Sequence, residues 1–161
     1  MYMREHPKNR IERSAIRVWR IHGLIWSIIF ILITGNLFFS SYQWNWPIWI
    51  AVIGSILTVI IAGFGVFLFP PLRWRRWRYQ LYDQEIYIQH GILIVKRTIV
   101  PMVRVQHVDT KQGPILRKFK LASLEVSTAA TTHEIPALKL SEAEALRDQI
   151  SVLARVEQND I

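Results

Sequence analysis

The sequence contains no cysteine. Disulfides, thiolate nucleophiles and cysteine-ligated zinc are excluded at once, and the absence suits a domain that faces the cytosol. The short patterns that carry catalytic chemistry are missing too: there is no glycine-rich phosphate loop, no G-x-S-x-G and no H-E-x-x-H. There is no internal repeat and no low-complexity tract. Acidic residues are scarce in one half only. Residues 1–80 hold ten Lys/Arg against Glu5 and Glu12, whereas residues 81–161 hold ten of each sign. The net charge of +8 on 161 residues therefore belongs to the first half. A nucleic-acid-binding domain should carry its basic face on the folded part, so nucleic acid is not the expected partner.

Charge of either sign is lacking from two long apolar runs, "IHGLIWSIIFILITGNLFFSS" (21–41) and "PIWIAVIGSILTVIIAGFGVFLF" (47–69). Each reaches the roughly 18–20 residues needed to cross about 30 Å of hydrocarbon. The first is too long for a cleaved signal peptide, no A-x-A-like site follows it, and a second run comes at once. Only "YQWNW" (42–46) separates the two, so an antiparallel hairpin is expected. Tyr42, Trp44, Trp46 and Trp49 would form an aromatic belt at that interface. Arg4, Lys8, Arg10, Arg13, Arg17 and Arg20 precede the first run, and Arg73, Arg75, Arg76 and Arg78 follow the second. The linking turn has no Lys or Arg. The positive-inside rule then puts both termini in the cytoplasm of a two-span cell-membrane protein.

Within the second run, Ala51, Gly54, Thr58, Ala62 and Gly65 recur at spacings of three and four and share one helix face. Small residues permit close backbone approach in lipid. This face is expected to pack on the first span through Gly23, Ser27 and Thr34, or on another membrane protein. The segment "RWRRWR", Arg73, Trp74, Arg75, Arg76, Trp77 and Arg78, is expected at the lipid interface. Its arginines serve as a topology signal, and together with its tryptophans they contact anionic headgroups without selecting one lipid. The resulting division is a basic cytoplasmic tail (1–20), a span (21–41), an external turn (42–46), a span (47–69), a basic and aromatic juxtamembrane segment (70–78), a soluble domain (79–156) and a tail (157–161).

The domain reads as short strands and turns. A turn at Asp83-Gln84 sets Tyr79 opposite Ile88 and Leu81 opposite Ile86. A two-residue turn at His90-Gly91 sets Ile88 opposite Leu93, Ile86 opposite Val95 and Glu85 opposite Lys96. Further strands are expected near Val105–Asp109, Ala122–Ser127 and His133–Ile135, with a short helical segment in "GPILRKFK" (113–120). A C-terminal amphipathic helix follows, with Ser141 and Glu144 as a capping box and Ala143, Leu146, Ile150 and Leu153 as its apolar stripe.

The segments "RTIVPMVRVQHVDTKQGP" (97–114) and "LASLEVSTA" (121–129), followed by "LSEAEALRDQI", resemble the bacterial pleckstrin-homology-like domain of small membrane-anchored proteins, in which a two-span hairpin precedes one domain. The resemblance implies a membrane α-helical hairpin plus an α+β domain. That domain would be an antiparallel sheet or half-open barrel of about seven strands, closed by a C-terminal helix. It gives shape and location more than activity, and it suggests as partner another, larger membrane protein with similar domains; a homo-oligomer is a separate expectation.

Chemistry has little footing. His107 and Asp109 would share one strand face, but no nucleophile or metal-ligand cluster accompanies them. Arg117, Lys118 and Lys120 form a small solvated cluster. The turn at Asp83-Gln84 is short and acidic, which disfavours a phosphoinositide pocket there. No catalytic residue, metal or cofactor is expected. The spans contain no Asp, Glu, Lys or Arg to mark a transport path. The expected function is a non-enzymatic interaction or scaffold module tethered at the inner leaflet. The alternative is protection of the envelope against membrane-active antimicrobial peptides.

Overall fold

The computed structural model describes residues 7–159, which divide into two compact units, one of residues 16–72 and one that joins residues 7–15 to residues 73–159. In the first unit, helix α1 (Ala15–Trp44) is followed by α2 (Ile48–Gly63), a five-residue π turn (Phe64–Leu68) and α3 (Phe69–Arg76). α1 has 30 residues and the continuous run Ile48–Arg76 has 29, so both are long and apolar enough to cross a membrane. Asn45 turns the chain between them at φ 49°, a conformation Asn accepts more readily than most residues. Pro47, at φ −60°, leads into α2.

The two long helices meet over small residues. A Cβ on Gly23 would lie 2.8 Å from the Gly65 carbonyl oxygen, so glycine is required for this approach. Ala51 is 0% exposed and Thr58 is buried. The Thr34 and Thr58 hydroxyls lie 2.8 Å apart, and each also sits 2.8 Å from the carbonyl four residues earlier. Each hydroxyl has one hydrogen, so one threonine donates across and the other back along its own helix. A π turn adds one residue to the helical repeat, so the buried face passes from Thr58 to Val66. Bulky side chains such as Leu32, Val59 and Phe67 point outward, as lipid-facing positions must.

In the second unit the elements run β1 (Asn9–Arg10), β2 (Arg78–Leu81), β3 (Glu85–His90), β4 (Lys96–Pro101), a 3₁₀ turn (Met102–Arg104), β5 (Val105–Lys111), α4 (Pro114–Lys118), β6 (Leu121–Thr128), β7 (Thr132–Lys139) and α5 (Leu140–Asn159). The described strands form two separate open antiparallel sheets, β1-β2-β3-β4 and β5-β6-β7. This corrects the expectation of one sheet or half-open barrel of seven strands closed by the C-terminal helix. The break falls at Pro101. Proline there has no N–H to give a ladder, and it leads into the 3₁₀ turn, whose Met102 is fully buried. The chain therefore crosses from one sheet to the other instead of pairing β4 with β5. α5 lies along β5, β6, β7 and the 3₁₀ turn, burying Ala143, Ile150 and Ala154.

The β2–β3 register is Tyr79↔Ile88 and Leu81↔Ile86, as the alternation predicts. The β3–β4 register differs: Ile88 faces Thr98, Ile86 faces Val100 and Glu85 faces Pro101. Residues 91–95 form a longer loop rather than a two-residue turn. Residues 7–15, read from sequence as part of a tail, are built into this unit. β1 pairs with β2, the Glu12 N–H bonds to the Ala137 carbonyl at 3.1 Å, and Ile11 is 2% exposed.

Candidate functional site

The arginine–tryptophan segment enters the domain at the Arg78 end of the four-stranded sheet. Helix α3 carries Arg73, Trp74, Arg75 and Arg76, and β2 begins at Arg78. Their side chains do not share one environment. Arg75 and Arg76 are exposed, whereas Arg73, Trp74 and Arg78 are half-buried. The Trp74 indole N–H donates to the Ile11 carbonyl at 3.0 Å, and the Arg10 guanidinium lies 5.5 Å from the Trp74 ring centre, within cation–π range. Trp77 is 6% exposed and stacks on His90 with ring centres 5.0 Å apart. The Arg78 guanidinium reaches the Pro7 carbonyl at 3.5 Å. Trp74, Trp77 and Arg78 thus contact protein groups, while Arg75 and Arg76 face outward. Sequence could not make this distinction, because interleaved Trp and Arg suit a headgroup belt and a packed seam equally.

The local field is positive. Burial lowers the His90 imidazole below its ordinary value, and Lys96, Arg73 and His133 lower it further. His133 is lowered by burial and by Lys96. The amide oxygen of buried Gln89, next to His90 on β3, has no hydrogen-bond donor. Beyond this end, Leu93 and Ile94 project from the loop at 97% and 84% exposure. Sequence reasoning had placed Leu93 in a strand. The turn does use Gly91, at φ 113°, but the chain folds back over it as far as Ile94, whose carbonyl oxygen would be 2.0 Å from a Cβ there, so the loop is longer than two residues.

The remaining candidates are weaker as chemistry. His107 and Asp109 do come together, at 3.7 Å, but both side chains are about 60% exposed. Among the described residues no group of three His, Asp or Glu could hold a metal. A cleft of about 730 Å³ is lined by Glu12, Arg117, Lys120, Lys139, Ser141 and Glu144 among others. Cations and acids both line it, with Lys139 and Glu12 at 3.6 Å, so it offers no single-sign binding surface. Of the small-residue face in the other unit, Ala51 and Thr58 are buried, Ala62 is half-buried, and a Cβ on Gly54 would meet Leu37 at 3.2 Å, whereas one on Gly65 would meet nothing within 4 Å.

The profile of a family described as bacterial PH domain matches residues 24–154. The chain is 48% identical over 159 residues to the UPF0699 transmembrane protein YdbS of Bacillus subtilis (strain 168), covering 99% of this chain and 100% of that protein. It is 29% identical over 83 residues to the UPF0699 transmembrane protein YdbT of the same organism, covering 49% of this chain but 17% of that protein. No solved structure matches the chain.

Proposed function

The chain belongs to the bacterial PH domain family, and from that premise we propose that it works as a scaffold at the inner leaflet, holding another membrane protein against its domain. It is a non-catalytic, membrane-associated member of the family. The observation that carries the one-sided tether is the pairing of β1 with β2. These strands lie before and after the two spans, yet share one sheet, so the number of crossings between them must be even. The basic flanks then favour the cytoplasmic side. On this reading the exposed Arg75 and Arg76 meet anionic headgroups, with each such cation worth about 1 kcal/mol there.

Support for a protein partner comes from the open edge at β4, where a further strand can add by backbone hydrogen bonding. The favoured partner is a longer membrane protein that carries a similar domain, since about half of this chain resembles a small part, 17%, of one longer transmembrane relative. The envelope-protection reading has no feature of the fold behind it and is not carried further.

Two measurements test this. The chain can be purified from membranes in mild detergent, with and without Ile99→Asp on the exposed face of β4. The expected result is a co-purifying membrane protein with a bacterial PH domain that the variant loses. Migration as a lone chain, or as a homo-oligomer indifferent to the substitution, refutes the partner reading. Single cysteines at Gln43 and Gln149 report orientation in this cysteine-free protein. An impermeant reagent on cells whose outer barrier, if any, has been permeabilised should label position 43 and not 149.

A further inference from the structure

Leu93 and Ile94 form the most exposed adjacent apolar pair in the strand-bearing unit, at 97% and 84%. A single exposed leucine needs no explanation, whereas neighbouring apolar side chains at the tip of a built loop do. The loop is built. Gly91 adopts φ 113° so that the Ile94 carbonyl can fold back over it, at a distance no Cβ would allow. His90 pairs with Lys96 at its base.

The placement of the loop names its surroundings. Arg78 pairs with Gln89 and His90 pairs with Lys96. The loop therefore leaves the sheet at the end where β2 begins, and β2 begins a few residues after the last apolar run. Trp77, just before β2, stacks on His90, just before the loop. The base carries Lys96 and Arg97, and burial with nearby cations lowers the His90 and His133 imidazoles below their ordinary value. Glu134 also acts on Arg73 nearby. An apolar tip above a positive base matches an anionic bilayer, whose hydrocarbon lies beneath a layer of phosphate.

We propose that Ile92–Val95 is a second membrane contact: the Leu93-Ile94 tip enters the headgroup–acyl boundary of the inner leaflet, and Lys96 and Arg97 meet anionic headgroups. This rests on the reading of the chain as membrane-anchored. The two spans hold the protein in the bilayer, and the loop fixes the face that the domain turns towards it.

The test uses the full chain in vesicles of phosphatidylglycerol and phosphatidylcholine. Cysteine is introduced singly at Leu93, at Leu57 in the second span and at exposed Lys118 on α4, and each is labelled with a polarity-sensitive fluorophore. Lipids brominated high on the acyl chain quench probes near the headgroups, and lipids brominated near the chain end quench a mid-bilayer probe such as position 57. The expected result is strong quenching and a blue shift at position 93, several-fold above position 118. The effect should be larger with phosphatidylglycerol than with phosphatidylcholine alone. Adding Ile94→Asp to the Leu93→Cys protein should bring quenching down to the level of position 118 without changing the unfolding temperature. If position 57 is quenched and position 93 behaves like position 118, the inference fails and the anchored reading stands. A blue shift at 93 without lipid quenching also overturns it, assigning the loop to a protein partner. If position 57 is not quenched, the anchored reading fails and takes the inference with it.

Discussion

Replacing Trp77 by alanine separates two accounts of the arginine–tryptophan segment. In a lipid belt the indole lies at the headgroup boundary, and its loss weakens anchoring while the domain stays intact. In the structure the ring is 6% exposed and stacked on His90, so its loss opens a cavity inside the fold. Buried Trp→Ala changes cost about 3–5 kcal/mol, a large part of the ~5–15 kcal/mol that holds a domain folded. With an m value of about 1.3 kcal/mol/M for a domain of this size, the urea midpoint should fall by roughly 2–4 M. Pulse proteolysis of the full chain in mild detergent, across a urea series, measures that midpoint without relying on the fluorescence of the other tryptophans. Trp77→Phe keeps a ring against His90 and should lose about half as much. Trp49→Ala, at an exposed position in the first unit, should stay within about 0.5 kcal/mol of the unmodified protein. A Trp77→Ala midpoint within 0.5 M of the original, with reduced vesicle association, refutes the packed-seam account (the threshold being roughly the reach of an exposed substitution).

Gly23→Leu should loosen the helix pair, since its Cβ meets the Gly65 backbone at 2.8 Å whereas Gly35 has nothing within 4 Å. Overpacking of this kind costs about 1–3 kcal/mol, so the helical signal should be lost at a lower SDS mole fraction for Gly23→Leu and not for Gly35→Leu. The Tyr79 phenol is raised above its usual value by burial first, then by its 2.5 Å hydrogen bond to Glu142 and by that carboxylate's charge. A raised folded value means that this stabilisation is complete below about pH 10 and is lost as pH climbs through the folded value. An absorbance titration at 295 nm should therefore show one late phenol that Tyr79→Phe removes. Ile11→Ala should cost the domain about 2–5 kcal/mol although it lies ahead of both spans; an unchanged urea midpoint would mean that β1 is not part of the unit.

The sequence showed most where side-chain alternation had one solution. Between Tyr79 and Ile88 a period of two and a short polar turn allowed a single register, and the pairing is the one found. It misled where several registers looked alike. "ILIVKRTIV" has apolar residues on both sides of Lys96-Arg97-Thr98, so Leu93 and Val95 fit opposite Ile88 and Ile86 by hydropathy at least as well as Thr98 and Val100 do. The loop geometry at Gly91 decides it, and that is a property of backbone angles, not of hydropathy. The separation into two sheets depends on Pro101 and a buried Met102 in a 3₁₀ turn, a tertiary choice that no local pattern announces. The recruitment of residues 7–15 had one faint trace, a lone Ile11 among basic residues.

The two proposed contacts constrain each other through β4. That strand starts at Lys96, at the base of the Leu93-Ile94 loop, and ends at Pro101. If the tip enters the leaflet, Lys96 is held near the headgroups and the open edge rises from there. Six residues at about 3.3 Å each give an edge of roughly 20 Å. A membrane-anchored partner offering a strand from its own juxtamembrane domain would meet this edge at a matching height, whereas a freely diffusing protein gains nothing from that alignment. Lipid contact then does more than add adhesion. It reduces the orientations the domain samples before docking, which lowers the entropy lost on association. On this argument Leu93→Asp, in the loop ahead of β4 rather than on its edge, should weaken capture of a membrane-embedded partner in vesicles. It should leave capture in detergent unchanged, where there is no leaflet to orient the domain. Equal weakening in both settings would show that the loop touches the partner directly and that orientation plays no part.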